Sequence, residues 1–287
     1  MKVNIITYAK LNLSLRVYAP LKNNYHPICS IFQNISLYDE LAIKIDPIKK
    51  GLTLSSSNKQ LPLDKTNILT KIYTKYQNKI PFGLDIRIKK NIPIGSGMGG
   101  GSSNAGGFLA FLNLYAGWNL SDLKLAKLAV KFGADIPFFL FGGTALVRGI
   151  GDKIKPINTS KYKYFVLINK DISINTKTIY QDFDKLNPTA KNPVRTPKIV
   201  LKQHLGENFL KAAVFSRYPD LKEIENIIIN AGAPKVYLSG SGATLFLAFK
   251  KLKEAQKWQE KISGVLPKTN ITLAKAVTKG FELIMDY

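Results

Sequence analysis

The chain has 287 residues, 45% of them hydrophobic and 21% charged, enough apolar material for one large domain or two ordinary ones. Its single cysteine, Cys29, excludes a disulfide framework and an all-cysteine metal site. No apolar run approaches the ~20 residues that cross a bilayer, and MKVNIITYAKLNLSL at the amino terminus lacks a signal-peptide pattern, so the expected location is the cytoplasm.

In chain order, residues 11–17 (LNLSLRV) alternate apolar and polar, which predicts a half-buried strand. Cys29 lies in the apolar run 28–32 and reads as a buried structural thiol. Leu41, Ile43 and Ile45, then Leu84, Ile86 and Ile88, repeat the strand pattern. Between them Ile68, Leu69, Ile72, Tyr73 and Tyr76 recur at helical spacing after Asp64, the expected cap. A glycine-rich loop then opens into a helix over about 102–115, ended by Gly117. A second helix runs from Ser121-Asp122 to Gly133, and ADIPFFLFGGTALVRGIGDK (134–153) reads as a return to strand.

Beyond about residue 155 the pattern restarts. A strand is expected at Phe165 to Ile168, helices near 176–185 and 219–230, and a Pro-, Asn-, Lys- and Thr-rich stretch spans 187–199. His204 reads as a structural histidine. Strand, glycine turn and strand follow in KVYLSGSGATLFLAF (235–249), then a helix over 251–263 and a strand near 271–277. Alternating strands favour antiparallel sheets with one covered face. The expectation is an α+β chain of two domains, 1–155 and 156–287, with helices packed on one face of mainly antiparallel sheets.

The net charge of +23 raises nucleic-acid binding as one reading. The lysines are dispersed, however, in short groups such as IKK (88–90), KYKY (161–164) and KKLK (250–253), which suits a solvated surface or a polyanionic small substrate equally well.

PIGSGMGGGSSNA (93–105) packs Gly95, Gly97, Gly99, Gly100 and Gly101 into seven positions. A linker would be polar on both sides, yet an alternating strand precedes this loop and apolar FLAFLNLY (108–115) follows. Gly95, Gly97 and Gly100 match the dinucleotide fingerprint GxGxxG, but Pro93 follows the strand and the acid at the right distance, Asp122, starts a helix. The P-loop and the HRD and DFG signatures of protein kinases are missing. What remains is a glycine-lined turn at a helix amino terminus, where N–H groups and the helix dipole suit phosphate. Ser102 and Ser103 are candidate donors to phosphate or magnesium, and a Ser-Ser-Asn helix cap explains part of the pattern.

That loop, with AKLNLSL (9–15) and GADIPFF (133–139), resembles the GHMP superfamily of small-molecule kinases. The triple glycine before Ser-Ser-Asn-Ala, the early AKLNL and the Tyr25-His26 pair resemble most the branch acting on 4-diphosphocytidyl-2-C-methyl-D-erythritol. NISLYDEL (34–41), TNILTK (66–71), FGGTALVRGIGD (141–152) and LSGSGATLF (238–246) extend the resemblance over most of the chain. It implies a two-domain GHMP kinase fold with the active site in the inter-domain cleft, an ATP-binding first domain and a second completing the substrate cleft. It further implies ATP with magnesium, phosphorylation of the substrate's 2-hydroxyl in non-mevalonate isoprenoid synthesis, no membrane or nucleic-acid partner, and a monomer or homodimer.

By motif match, Asp135 and Lys10 stand at the catalytic positions. The ATP loop comprises Pro93, Ile94, Gly95, Ser96, Gly97, Met98, Gly99, Gly100, Gly101, Ser102 and Ser103. Asn12, on the strand face of Lys10, matches a substrate contact. Tyr25 and His26 match the cytosine-binding pair, Tyr180 a second aromatic against the base, and Thr176 a nearby hydroxyl. Gly240, Ser241 and Gly242 match the turn that approaches the substrate diphosphate. There are departures: Asn24 replaces the glycine before Tyr-His, Pro27 follows it, Gln181 replaces a cation beside the aromatic, Met98 replaces leucine, and the Asn-Asp pair expected near 207–209 reads Glu-Asn-Phe. Two rivals stand beside this reading: another GHMP kinase, whose substrate has no base to stack, and a basic nucleic-acid-binding protein, whose RNA binding would fall steeply with salt.

Overall fold

A computed structural model describes residues 1–157, 161–187 and 206–285; His204 and most of the 187–199 stretch lie outside them. The longest strand, β2 (Ile28–Asp46), organises the first sheet. It pairs antiparallel with β1 (Lys2–Val17) from Lys2 opposite Lys44 to Val17 opposite Ile28. Its other edge is shared between β4 (Gly83–Lys89), against residues 40–46, and β5 (Thr144–Gly149), against residues 28–33. β3 (Leu52–Ser56) joins β4 in parallel, and β6 (Lys153–Pro156) joins β5. A strand not anticipated from the sequence, β11 (Phe281–Met285), pairs with residues 3–7 of β1, so the end of the chain completes the first sheet.

Alternation in β4 is as expected: Leu84, Ile86 and Ile88 are buried while Asp85, Arg87 and Lys89 are exposed. Those apolar side chains pack with Leu41 and Ile43 against α1 (Ile68–Tyr76), α2 (Gly100–Tyr115) and α3 (Asp122–Ala129). The cap of α1 differs from expectation. Asn67 accepts from the Leu69 N–H, while Asp64 accepts from Thr66 in the preceding turn. A second correction concerns residues 136–141, which form a helix, α4 (Ile136–Phe141), rather than strand. Pro137 suits a helix first turn, and Phe138 and Phe139 are fully buried, so the run shows no amphipathic period.

The second sheet is antiparallel in the order β10 (Asn270–Lys275), β7 (Tyr164–Asn169), β9 (Leu245–Phe249), β8 (Tyr237–Leu238). α5 (Thr176–Leu186), α7 (Pro219–Asn230) and α8 (Leu252–Val265) match the expected helices, and α6 (Lys211–Arg217) is additional. The two halves share a core in which Leu15, Phe32 and Phe138 meet Ile168, Val214 and Leu245. Residues 9–15 of β1 are therefore buried on both faces, not half-buried, and Lys10 and Asn12 face inward with them. Cys29 is buried as a free thiol on β2, and burial pushes its pKa up.

Candidate active site

A cleft of 1010 Å³ runs between the halves. Its floor is the glycine loop. Gly99 (φ +71°) caps α2 in the left-handed region, and a Cβ there would stand 2.8 Å from Phe139 Cζ and 3.3 Å from Lys10 Cε. At Gly97 (φ +76°) a Cβ would stand 2.2 Å from the Ser239 carbonyl oxygen, so the second glycine turn lies against the first. Ser239 Oγ donates to the Gly97 carbonyl (3.0 Å), Thr244 N to Ser96 (3.1 Å) and Ile174 N to Gly95 (3.0 Å). The carbonyls of Gly95, Ser96 and Gly97 are thereby bonded to the second half, while the opening N–H groups of α2 lack intrahelical partners, as at any helix start. A Cβ on Gly101 would meet nothing within 4 Å.

Lys10 is buried beside this loop; its N–H donates to the Met98 carbonyl (3.0 Å). Its ammonium donates to Asn12 Oδ1 (2.5 Å), lies 3.6 Å from Asp135 Oδ2 and stands 4.5 Å from the centre of the Phe32 ring. Burial lowers the Lys10 pKa, and Asp135 acts in the opposite direction. Asp135 occupies the cap position of α4, yet its side chain makes no capping hydrogen bond. It is free to serve the cleft, where it meets Lys10. A carboxylate and an ammonium beside a glycine-lined helix start can take a proton from a hydroxyl and offset charge on a transferring phosphoryl group.

At the other end stand Tyr25, His26, Thr176 and Tyr180. Tyr25 is 56% exposed, a large aromatic presented to whatever enters. His26 Nδ1 lies 2.8 Å from the Tyr18 carbonyl, so that nitrogen donates, and Nε2 lies 3.3 Å from Asp184 Oδ2. Both ring nitrogens therefore face acceptors within the protein. The His26 ring centre is 5.0 Å from that of Tyr180, whose hydroxyl is pushed up from the ordinary tyrosine range by burial and then by Asp135. Thr176 Oγ1 and Ser241 Oγ are 2.9 Å apart, tying α5 to the second glycine turn. Asn24, in the expected glycine position, adopts φ +62°, a conformation asparagine tolerates.

Of the residues expected in the site, three do not line the cleft. Ser103 is buried and its hydroxyl donates to the Tyr8 carbonyl (2.6 Å), leaving Ser102 on the cleft wall. Met98 is core, and Gly242 packs toward Ile174, Leu238 and Val214. The remainder, Lys10, Asn12, Tyr25, His26, Asp135, Thr176, Tyr180, Gly240, Ser241 and the rest of the loop, surround it.

Other residues escaped the sequence reading. Lys90, taken with the surface lysines, has a side chain only 3% exposed and is paired with fully buried Asp39. Asp39 also accepts from the N–H groups of Asn91 and Ile92 and from Asn104 Nδ2, which fastens the loop entrance to β2 and α2. Asn208 Nδ2 donates to the Leu238 and Gly240 carbonyls (2.9 and 2.8 Å) and holds the second glycine turn. No local sequence signal marked Asp39 and Lys90; they meet because β2 and β4 pair with Glu40 opposite Lys89.

Comparison with known proteins identifies the family. The GHMP kinases N terminal domain matches residues 67–143, and the GHMP kinases C terminal domain matches residues 198–268. The 4-diphosphocytidyl-2-C-methyl-D-erythritol kinase of Syntrophus aciditrophicus is 36% identical, over 88% of this chain and 93% of its own. That of Clostridium acetobutylicum is 33% identical, over 89% and 94%. A crystal structure of 4-(cytidine 5'-diphospho)-2C-methyl-D-erythritol kinase superposes with a TM-score of 0.75 at 27% identity, over 95% of this chain and 98% of that one. Among the described residues no helix is long and apolar enough to cross a membrane. The chain belongs to the GHMP kinases and, within them, to the 4-diphosphocytidyl-2-C-methyl-D-erythritol kinase family.

Proposed function

We propose that this protein transfers the γ-phosphoryl group of ATP to the 2-hydroxyl of 4-diphosphocytidyl-2-C-methyl-D-erythritol, a step of non-mevalonate isoprenoid synthesis. Residues 1–155 hold ATP and residues 156–287 complete the acceptor cleft. The observation that carries the reading is the pairing of Lys10 with an Asp135 side chain that caps nothing, 3.6 Å apart between a glycine-started helix and an aromatic subsite. Family membership supports the substrate.

Phosphoryl transfer needs alignment, charge neutralisation and a proton acceptor. The acceptor oxygen attacks the γ-phosphorus as the bond to the β-phosphate oxygen breaks, ADP leaves, and the hydroxyl proton passes to Asp135. Lys10 holds that carboxylate and offsets charge on the transferring group. The start of α2 binds the ATP phosphates, and the turn at Gly240 and Ser241 meets the acceptor's diphosphate. Tyr25 and Tyr180 enclose the cytosine, with the His26 ring bracing Tyr180. Ser102 would be the residue to hold a magnesium ion bound with ATP, since Ser103 is committed to Tyr8. When bound, the ion neutralises phosphate charge. The protein acts in the cytoplasm as a monomer or homodimer, without nucleic acid.

The test is ADP release from ATP with the cytidylyl substrate, beside homoserine and mevalonate as alternative acceptors. Turnover with the first alone, competed by cytidine nucleotides, is the expected result. Turnover with either of the others in its place overturns the substrate assignment.

A further inference from the structure

Beneath Lys10 lies a polar residue that the chemistry above does not use. Ser30, on β2, is fully buried, and its hydroxyl donates to the carbonyl of Ser14. A hydroxyl has one proton, so toward Asn12 Ser30 can only accept. Asn12 Nδ2 stands 3.0 Å from it. An amide has one donor end and one acceptor end; fastening Nδ2 to Ser30 turns Oδ1 toward the Lys10 ammonium, 2.5 Å away. With the amide reversed, an NH2 group would face the ammonium, donor against donor. Chemistry on both sides of Asn12 therefore fixes which way the amide points.

We propose that Ser30 is a positioning residue for Lys10, acting through Asn12 by holding the amide with its oxygen toward the ammonium. Its consequence for catalysis rests on the kinase reading, whereas its effect on Lys10 itself does not. Asp135, at the start of α4, is the charged group that faces Lys10, with the Phe32 ring of β2 on another side and Tyr180 of α5 electrostatically coupled to Asp135. An oxygen accepting from the ammonium favours its charged form. Loss of that orientation lowers the pH at which Lys10 gives up its proton, adding to the lowering that burial already causes.

The experiment pairs steady-state kinetics with an NMR titration of lysine 13Cε resonances in the full chain. Ser30→Ala is expected to lower the Lys10 midpoint, to reduce kcat roughly tenfold, as loss of a hydrogen bond to a charged group does, and to leave both KM values within about twofold. The alkaline limb of kcat should move to lower pH with the midpoint. Ser30→Thr, which keeps the hydroxyl, should restore both, and Ser30→Ala should add nothing in an Asn12→Ala background. Where the alanine variant does not fold, Ser30→Cys, close in volume but a weak acceptor toward the Asn12 amide, should give an intermediate midpoint. A wild-type Lys10 midpoint in folded Ser30→Ala or Ser30→Cys overturns the proposal. So does an undiminished effect of Ser30→Ala when Asn12 is already alanine. If the wild-type protein does not phosphorylate the cytidylyl substrate, the kinase reading fails while the NMR arm still decides the role of Ser30.

Discussion

Lys10 and Asp135 stand 3.6 Å apart although one lies in the middle of the first strand and the other at the start of a six-residue helix. Phe139, one turn further along α4, lies against Gly99, and Lys10 Cε lies beside the same glycine. One packing arrangement thus aligns the glycine loop, the ammonium and the carboxylate. Preorganisation of this kind is what transfer of a phosphoryl group asks of a protein.

Asp135→Asn tests the proton acceptor. The amide keeps the shape but cannot take a proton, so kcat is expected to fall about 10²- to 10⁴-fold. The KM for ATP should change little, because the loop proposed to bind it is untouched. The melting temperature should also fall, because the buried Lys10 ammonium loses its charged partner, but by less than for a fully buried pair since Asp135 is about a third exposed. ADP release and a thermal melt measure the two; equal rates in both proteins would remove Asp135 from the mechanism.

The Lys10 ammonium gives a pH signature. Burial holds its pKa below the ordinary lysine value of 10.5, with Asp135 opposing. As pH rises through that lowered pKa the ammonium is lost earlier than from an exposed lysine, so kcat should decline on an alkaline limb below the usual lysine range. Lys10→Arg keeps a charge across that range and should lose the limb, at a reduced plateau because the planar guanidinium does not replace a compact ammonium. A flat wild-type profile into the ordinary lysine range would mean that the charge on Lys10 is not required.

Base recognition is separable from stability. Tyr25 is 56% exposed, so Tyr25→Ala should leave the melting temperature nearly unchanged. Stacking of a base on an aromatic ring contributes about 1–3 kcal/mol, which corresponds to a roughly 5- to 150-fold rise in KM for the cytidylyl substrate with KM for ATP unaltered. Tyr180→Ala should show the same preference but also destabilise, because Tyr180 packs against the shared core. Equal rises for both substrates would place Tyr25 outside the base subsite.

Much of this site was legible because strands have period two and the relevant motifs are short. Lys10 and Asn12 share a face for that reason, and Leu84, Ile86 and Ile88 announce β4. Three features were hidden, each for a physical cause. α4 is apolar and largely buried, so no periodicity distinguishes it from strand. Ser102 and Ser103 are adjacent on a helix and point about 100° apart, so composition alone could not select the one on the cleft. Asp39 and Lys90 meet only through the register of β2 against β4, which local sequence does not encode.

That hidden pair yields a stability prediction. Removing one partner of a buried ion pair typically costs about 3–5 kcal/mol because the other charge is stranded. Asp39→Asn puts an amide NH2 where carboxylate oxygen accepts from Lys90 and Asn104. Chemical denaturation should show a loss of that order, with the KM for ATP raised as the loop entrance loosens. Adding Lys90→Met should recover part of the stability. A double variant no more stable than Asp39→Asn alone would show that the backbone anchoring of Asn91 and Ile92, not the charge pair, is what Asp39 supplies.

Two glycines of the loop should respond in opposite ways to one methyl group. At Gly97 the positive φ and a would-be Cβ 2.2 Å from the Ser239 carbonyl leave an alanine no room, and the obstacle is backbone. Gly97→Ala should push the second glycine turn away, lowering both the melting temperature and kcat. Gly101 lies inside α2 with nothing within 4 Å of its would-be Cβ. There, alanine's better helix propensity is worth up to about 1 kcal/mol, so Gly101→Ala should raise the melting temperature. Its methyl nevertheless projects into space proposed for the ATP phosphates, so the KM for ATP should rise while the protein becomes more stable. Stability gained with ATP affinity unchanged would move the phosphates away from this turn of α2.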